Sequence, residues 1–375
     1  MNKIIKMVVA MCVIGICRNR KGNQEIKMRT RMKNMGFVSA VAFAVCTGGT
    51  VAGAGNVRVV DCKGREFAAP TCMTEERIFK AADKEFTNGG VKVLGLDLRI
   101  QKRTKAALEK HADAEKVEFA TALVLDAKSG AIRGAAEVRG GHEPARLFRY
   151  ADALTWNYEP GGLIYPVIAA LAAKEGQEWE SLGSALASGR GEVFEEWRKK
   201  DILSDWSDWK CSLKSAVARG ESIRLCSLQI ARSYAVLANL GVFTGSYGVE
   251  RMVGADGKVL KCHEQTAVQR VLDAEIAVKV CRAMEKSVAK GGFCQDANVD
   301  GLRVAGMSGT ASLHFEPKSQ MVVNGQSFAG FFPAENPCYV VVVTFVSRKD
   351  EPVVRGGGRA ARTFAEIARM VMANE

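Results

Sequence analysis

From Leu98 to Met372 the apolar positions fall into a succession of readable periods. Leu98–His111 sets Leu98, Ile100 and Leu108 on one side of a helical repeat against a basic remainder, which predicts a helix. Ala120–Asp126 and Ala131–Val138 read as strands, and the Ala-Lys-Ser-Gly between them predicts a hairpin turn with glycine last. Leu163–Lys174 reads as a helix opened by Glu-Pro-Gly-Gly and closed before Gly176. Ser181–Lys200 is read as helical and leads into a segment carrying Trp206 and Trp209.

Farther along, Ser222–Asn239 is a strongly apolar helix ended at Gly241, and Asp273–Lys290 an amphipathic one ended at Gly291-Gly292. Leu302–Gly306, Gln326–Phe332 and Tyr339–Val346 read as strands. The last is apolar on both faces, so it belongs in the middle of a sheet. Ala360–Met372 is a closing helix after Arg355-Gly-Gly-Gly. The order is helix, hairpin, helices, then three strands and a helix. That order predicts an α+β fold, an antiparallel sheet flanked by helices.

The N-terminal region departs from this pattern. Residues 1–35 hold nine Lys/Arg against Glu25, a charge of +8 out of the chain's +12, so the body carries only +4. The body shows no interleaved Arg/aromatic stripe, which argues against a nucleic-acid partner. Arg29, Arg31 and Lys33 precede the apolar run Gly36–Cys46 and the small residues Ala52-Gly53-Ala54. This is the layout of a secretory signal, with a membrane anchor as the second reading. Met28 and Met32 are natural starts for such a signal. Residues 1–54 are therefore read as a targeting region, 55–91 as a short lead-in and 92–375 as the main domain. Export is expected, to the periplasm or the outer face of the cytoplasmic membrane, with membrane association through the N-terminus.

Eight of the eleven cysteines follow position 54, an even number that suits an oxidising compartment. Cys62 and Cys72 are the expected pair because they lie close together in a loop-like stretch. The four histidines are scattered and no metal-ligand spacing occurs, so neither a metal nor a cofactor is expected.

Seven phrases, in order, carry a family resemblance. They are Val93–Gln101, Leu123–Ile132, Tyr158-Glu-Pro-Gly161, Ser227–Gly241, Val304–Ala311, Phe328–Tyr339 and Gly357–Ile367. Together, over residues 92–375, they resemble the transpeptidase domain of class B penicillin-binding proteins, the enzymes that cross-link peptidoglycan. The resemblance implies the penicillin-binding-protein/β-lactamase-like fold and acyl transfer. In that chemistry a serine attacks the peptide, a lysine one helical turn on handles the proton, and backbone amides hold the oxyanion.

This chain departs from the family at each motif. Gly162 stands at the nucleophile position and Tyr165 at the lysine position, so an oxygen nucleophile and an amine base are both missing there. The best match to the second motif is Ser188-Gly-Arg190, in which Arg190 replaces an amide. The third motif, Lys-Thr-Gly in the family, is Met307-Ser308-Gly309, followed by Thr310. The resemblance implies that Ser308, Gly309 and Thr310 line a peptide-binding strand. Losing a serine nucleophile alone costs on the order of 10⁶ in turnover in a well-studied protease. The expectation is a penicillin-binding, transpeptidase-like envelope protein without an intact catalytic set. It would bind wall peptide or a cell-wall partner. The alternative is an active transpeptidase or β-lactam-reactive acyltransferase with a relocated serine, Ser188 or Ser308 first.

Overall fold

The computed structural model describes residues 57–67, 69–81, 89–112, 117–140, 151–194, 223–264, 269–314, 322–348 and 354–373, all within the unit Ala54–Glu375. The targeting region, Trp206, Trp209, Cys211 and Ser222 lie outside the described residues.

Val57–Val60 (β1) and Gly90–Leu94 (β2) pair in parallel, with the helix Met73–Lys80 (α1) between them in sequence. Leu98–His111 (α2) has the bounds expected from its period, and the Asp97 carboxylate caps it by accepting from the Arg99 and Ile100 amides. Val117–Asp126 (β3) and Ile132–Arg139 (β4) form the expected hairpin. Asp126 Oδ1 accepts from the amides of Lys128 (3.1 Å) and Ser129 (2.8 Å), which turns the chain.

A 3₁₀ turn at Gly161–Ile164 runs into Tyr165–Lys174 (α3), and Trp179–Ser188 (α4) follows. Ser227–Ala238 (α5) starts five residues later than its apolar pattern suggested. The reason is tertiary: Leu225 forms a two-way backbone bridge with Tyr158 and is held extended (3.0 and 2.9 Å).

The short strands Val242–Phe243 (β5), Val249–Gly254 (β6), Val259–Cys262 (β7) and Gln269–Arg270 (β8) come next, then the helix Ala274–Val288 (α6). Ala305–His314 (β9), Val322–Phe332 (β10), Tyr339–Arg348 (β11) and Gly358–Met372 (α7) complete the described chain. The strand expected at Leu302–Gly306 is shifted: Leu302 closes a turn on Val299, and the ladder begins at Ala305.

The main sheet has the order β4-β3-β11-β10-β9, antiparallel throughout. Val340–Val343 are fully buried in its middle strand, as an apolar run on both faces requires. The two faces of β10 receive different layers. Phe328 and Phe332 stack edge-on against Phe364 of α7. Ser327, on the opposite face, donates to Thr344 (3.0 Å), which donates to the Tyr158 hydroxyl beside α5 (2.8 Å). α2 packs with α7, and α3, α4 and α6 pack with one another on the α5 side.

A second sheet, β1-β2-β6-β7, draws residues read as a lead-in into the fold. Glu137 of β4 caps α1, accepting from the Met73 and Thr74 amides at 3.0 Å. Cys62 and Cys72, expected as a disulfide pair, are free thiols. Each belongs to a different contact: the Cys62 amide donates to the Leu96 carbonyl (2.9 Å), and Cys72 Sγ faces the Ala135 carbonyl of β4 (3.7 Å). Among the described residues no helix is long and apolar enough to cross a membrane.

Candidate functional site

The Tyr158-Glu-Pro-Gly161 segment is clamped on both sides. Tyr158 is buried, bridged by its backbone to Leu225 and by its hydroxyl to Thr344. Burial pushes its phenol above the ordinary value, while hydrogen bonds with Ser227 and Thr344 pull the other way. On the far side Tyr234 donates to the Leu163 carbonyl at 3.0 Å. The chain therefore enters α3 in one fixed path. Gly161 takes a left-handed φ of 53° there, which a residue with a Cβ adopts at a cost.

This turn lies directly on the β9 backbone. A methyl group on Gly162 would sit 2.6 Å from the Ser308 carbonyl oxygen. One on Gly161 would run into the Thr310 backbone, and one on Gly309 into the Pro160 carbonyl. Glycines on both sides let two backbones approach with no side chain between them. The position expected for a nucleophile thus lacks an oxygen and lacks the space for one.

Tyr165, at the lysine position, lays its half-buried ring alongside Gly162, with Cε2 3.2 Å from where a Cβ on that glycine would be. The ring stacks on Phe194, with centroids 5.0 Å apart and planes 24° apart. Its hydroxyl lies 2.6 Å from where a Cβ on Gly191 would be, so Gly191 makes the room. Ser188 is the last residue of α4, and Gly189 is its left-handed C-cap. The Ser188 hydroxyl donates to the Ser184 carbonyl (2.7 Å) and accepts from Arg190 Nε (3.1 Å), while Arg190 Nη2 reaches Ser184 Oγ (3.0 Å). Ser188 and Arg190 are exposed and occupied with each other at a helix end.

The third motif alternates across β9. Met307 is buried in the core, and Gly309 faces the turn on the same side. Ser308, only 7% exposed, points to the opposite face, where its Cβ comes within 3.1 Å of the position a Cβ on Gly357 would take. There Cys294 Sγ donates to Ser308 Oγ at 3.5 Å. Burial pushes the Cys294 thiol up, against hydrogen bonds with Ser287 and Ser308 that lower it. Thr310 is exposed.

The structure thus brings Gly162, Tyr165, Ser308, Gly309 and Thr310 together at one seam, with the Tyr165 hydroxyl reaching Gly191 just after the Ser188–Arg190 turn. Gly191, Phe194 and Cys294 complete these contacts. The sequence held no sign of them, because each is a pairing between residues far apart along the chain. Among the described residues no three His, Cys, Asp or Glu side chains converge as metal ligands would.

Residues 203–372 match the family model of the penicillin binding protein transpeptidase domain. The chain is 25% identical over 329 residues to the probable peptidoglycan D,D-transpeptidase PenA of Neisseria gonorrhoeae, covering 72% of this chain and 54% of that protein. It is 28% identical over 181 residues to penicillin-binding protein PbpB of Mycolicibacterium smegmatis, covering 46% and 28%. The chain thus spans about half the length, or less, of these curated relatives.

In structure it is similar to penicillin binding protein 3 of Mycobacterium tuberculosis complexed with aztreonam. The TM-score is 0.69 at 17% identity, covering 85% of this chain and 96% of that one. It is also similar to the D,D-transpeptidase domain of a peptidoglycan glycosyltransferase from Eggerthella lenta, with a TM-score of 0.63 at 16% identity, covering 86% and 99%. Sequence match and fold agree: the chain carries the penicillin-binding-protein transpeptidase fold and is similar to penicillin-binding proteins over much of its length.

Proposed function

We propose that this chain is a cell-envelope protein related to peptidoglycan synthesis in which the transpeptidase fold is kept and acyl transfer is silent, so that it acts by binding. One observation carries the reading. At the nucleophile position Gly162 offers no oxygen, and the Ser308 carbonyl stands 2.6 Å from where its Cβ would be. The neighbouring roles are vacated too: Tyr165 is stacked on Phe194, and the third motif offers a buried Met307 in place of a cation.

Export and attachment near the membrane follow from the basic and apolar N-terminal region and remain part of the same proposal. A wall peptide would have to pair with β9 outward from the exposed Thr310, because the Gly161–Ile164 turn occupies the strand at Ser308–Thr310. A protein of the cell-wall machinery is the other occupant that this reading admits.

The relocated-serine alternative draws little from the geometry. Ser308 faces Cys294 in a buried layer, and the Ser188 hydroxyl is spent on its own helix. The test is the intact mass of the folded chain after incubation with a reactive penicillin. Unchanged mass is the expected result. A stable adduct mapped to Ser188, Ser308 or any other serine would overturn the silent reading and name the nucleophile.

A further inference from the structure

Helices α4 and α6 leave an open groove of about 1010 Å³ between them, reaching Ser188 at one end. Its α6 wall carries Lys279, Arg282 and Lys286, with Lys290 just beyond the helix. Spacings of three and four residues put the first three on one stripe, and at 1.5 Å per residue Lys279 and Lys286 stand about 10 Å apart.

The charge in this groove is not balanced. Lys279 pairs with Glu275 at 2.9 Å and Lys290 with Asp300 at 3.1 Å. Arg282 and Lys286 have no acidic partner among the described residues, and Arg190, near the Ser188 end, bonds the Ser188 and Ser184 hydroxyls and no carboxylate among them. Glu180 alone stands for the opposite sign among the lining side chains. Cations held together on one wall repel each other, and an anionic ligand relieves that repulsion.

Between the charges the groove is apolar. The Trp179 ring lies where Gly183 leaves space, 2.9 Å from the place of a Cβ, and the Phe293 ring occupies the space left by Gly189. Both rings are half-buried, and Ala187 and Ala283 line the same groove. A phosphate chain has nothing to offer these surfaces, whereas a peptide can present carboxylates and apolar side chains in turn. We propose that the groove docks an acidic segment of a partner protein in which carboxylates alternate with apolar residues. This does not depend on whether the acyl-transfer site is silent.

The experiment is fluorescence polarisation of the full chain with a labelled peptide of alternating Glu and Leu, against a Gln-Leu peptide of the same length and against inorganic polyphosphate. Saturable binding of the Glu-Leu peptide is expected, weakened by added salt. Arg282→Gln/Lys286→Gln should weaken it about 10-fold or more, while Lys258→Gln, at an exposed residue that does not line the groove, should not. Trp179→Ala should weaken Glu-Leu but leave polyphosphate unchanged. Circular dichroism must show each variant folded. Equal binding of Gln-Leu, preference for polyphosphate, no binding of Glu-Leu, or indifference to the double substitution would each overturn the proposal.

Discussion

A side chain added at Gly162 has to displace the β9 backbone, since the obstacle is the Ser308 carbonyl and not a flexible side chain. Overpacking of that kind costs about 1–3 kcal/mol. Gly162→Ser is therefore expected to lower the melting temperature without yielding a penicillin adduct, read by calorimetry and intact mass on one sample. A variant as stable as the parent, or one that becomes acylated, would show that the seam opens readily. Gly191 is the contrasting case: its missing side chain is the space for the Tyr165 hydroxyl, a side-chain end that can shift, so a substitution there should cost less. At this scale the sequence was legible only as identity. Gly162 could be read as a lost nucleophile, but not as a site with no room for one.

At the scale of elements, Asp61 joins the end of β1 to the start of α2. Its carboxylate accepts from the Lys63 (2.9 Å), Arg65 (2.8 Å) and Leu98 (3.0 Å) amides, and Arg65 reaches on to Asp97 at 2.7 Å. Burial alone would raise the Asp61 carboxyl. The hydrogen bonds from Arg65 and these amides outweigh it and hold the group below 3.8. A carboxyl lowered on folding stabilises fully above its unfolded value, and the contribution is lost as pH falls from 3.8 towards the folded value. Asp61→Asn should thus be less stable than the parent at neutral pH, with the gap closing as the buffer is acidified below that value. Denaturant titrations across pH check it, and a pH-independent gap would sink the account.

Elements with a strong period were legible: α2 was read to the residue, and β11 as a central strand from its run of valines. β9 was not. Gly306 and Gly309 have weak strand propensity, and the strand exists because β10 pairs with it along its length. The start of α5 was misread because Leu225 is held extended by Tyr158, a partner 67 positions away in the chain.

For the whole molecule, the stretch read as a lead-in contributes β1, α1 and the first residues of β2 to the β1-β2-β6-β7 sheet. Ile78 of α1 enters the core, Arg77 bonds the buried Asp152 (2.7 Å) and the Met73 and Thr74 amides bond Glu137 of β4, so this stretch ties the two sheets together. A chain starting at residue 92 should melt well below one starting at residue 55 and bind a hydrophobic dye. Equal melting would mean that the two parts are independent.

The seam at Gly162 also bears on evolutionary time. Under the proposed reading, regaining acyl transfer takes more than the return of a serine. A base at 165, a cation at 307 and a displaced β9 would all be needed, and the first step alone lowers stability. The first intermediate would be worse folded and still inactive, so that step brings no gain on its own. Under that reading the loss works as a ratchet, and this chain is held to whatever its domain binds.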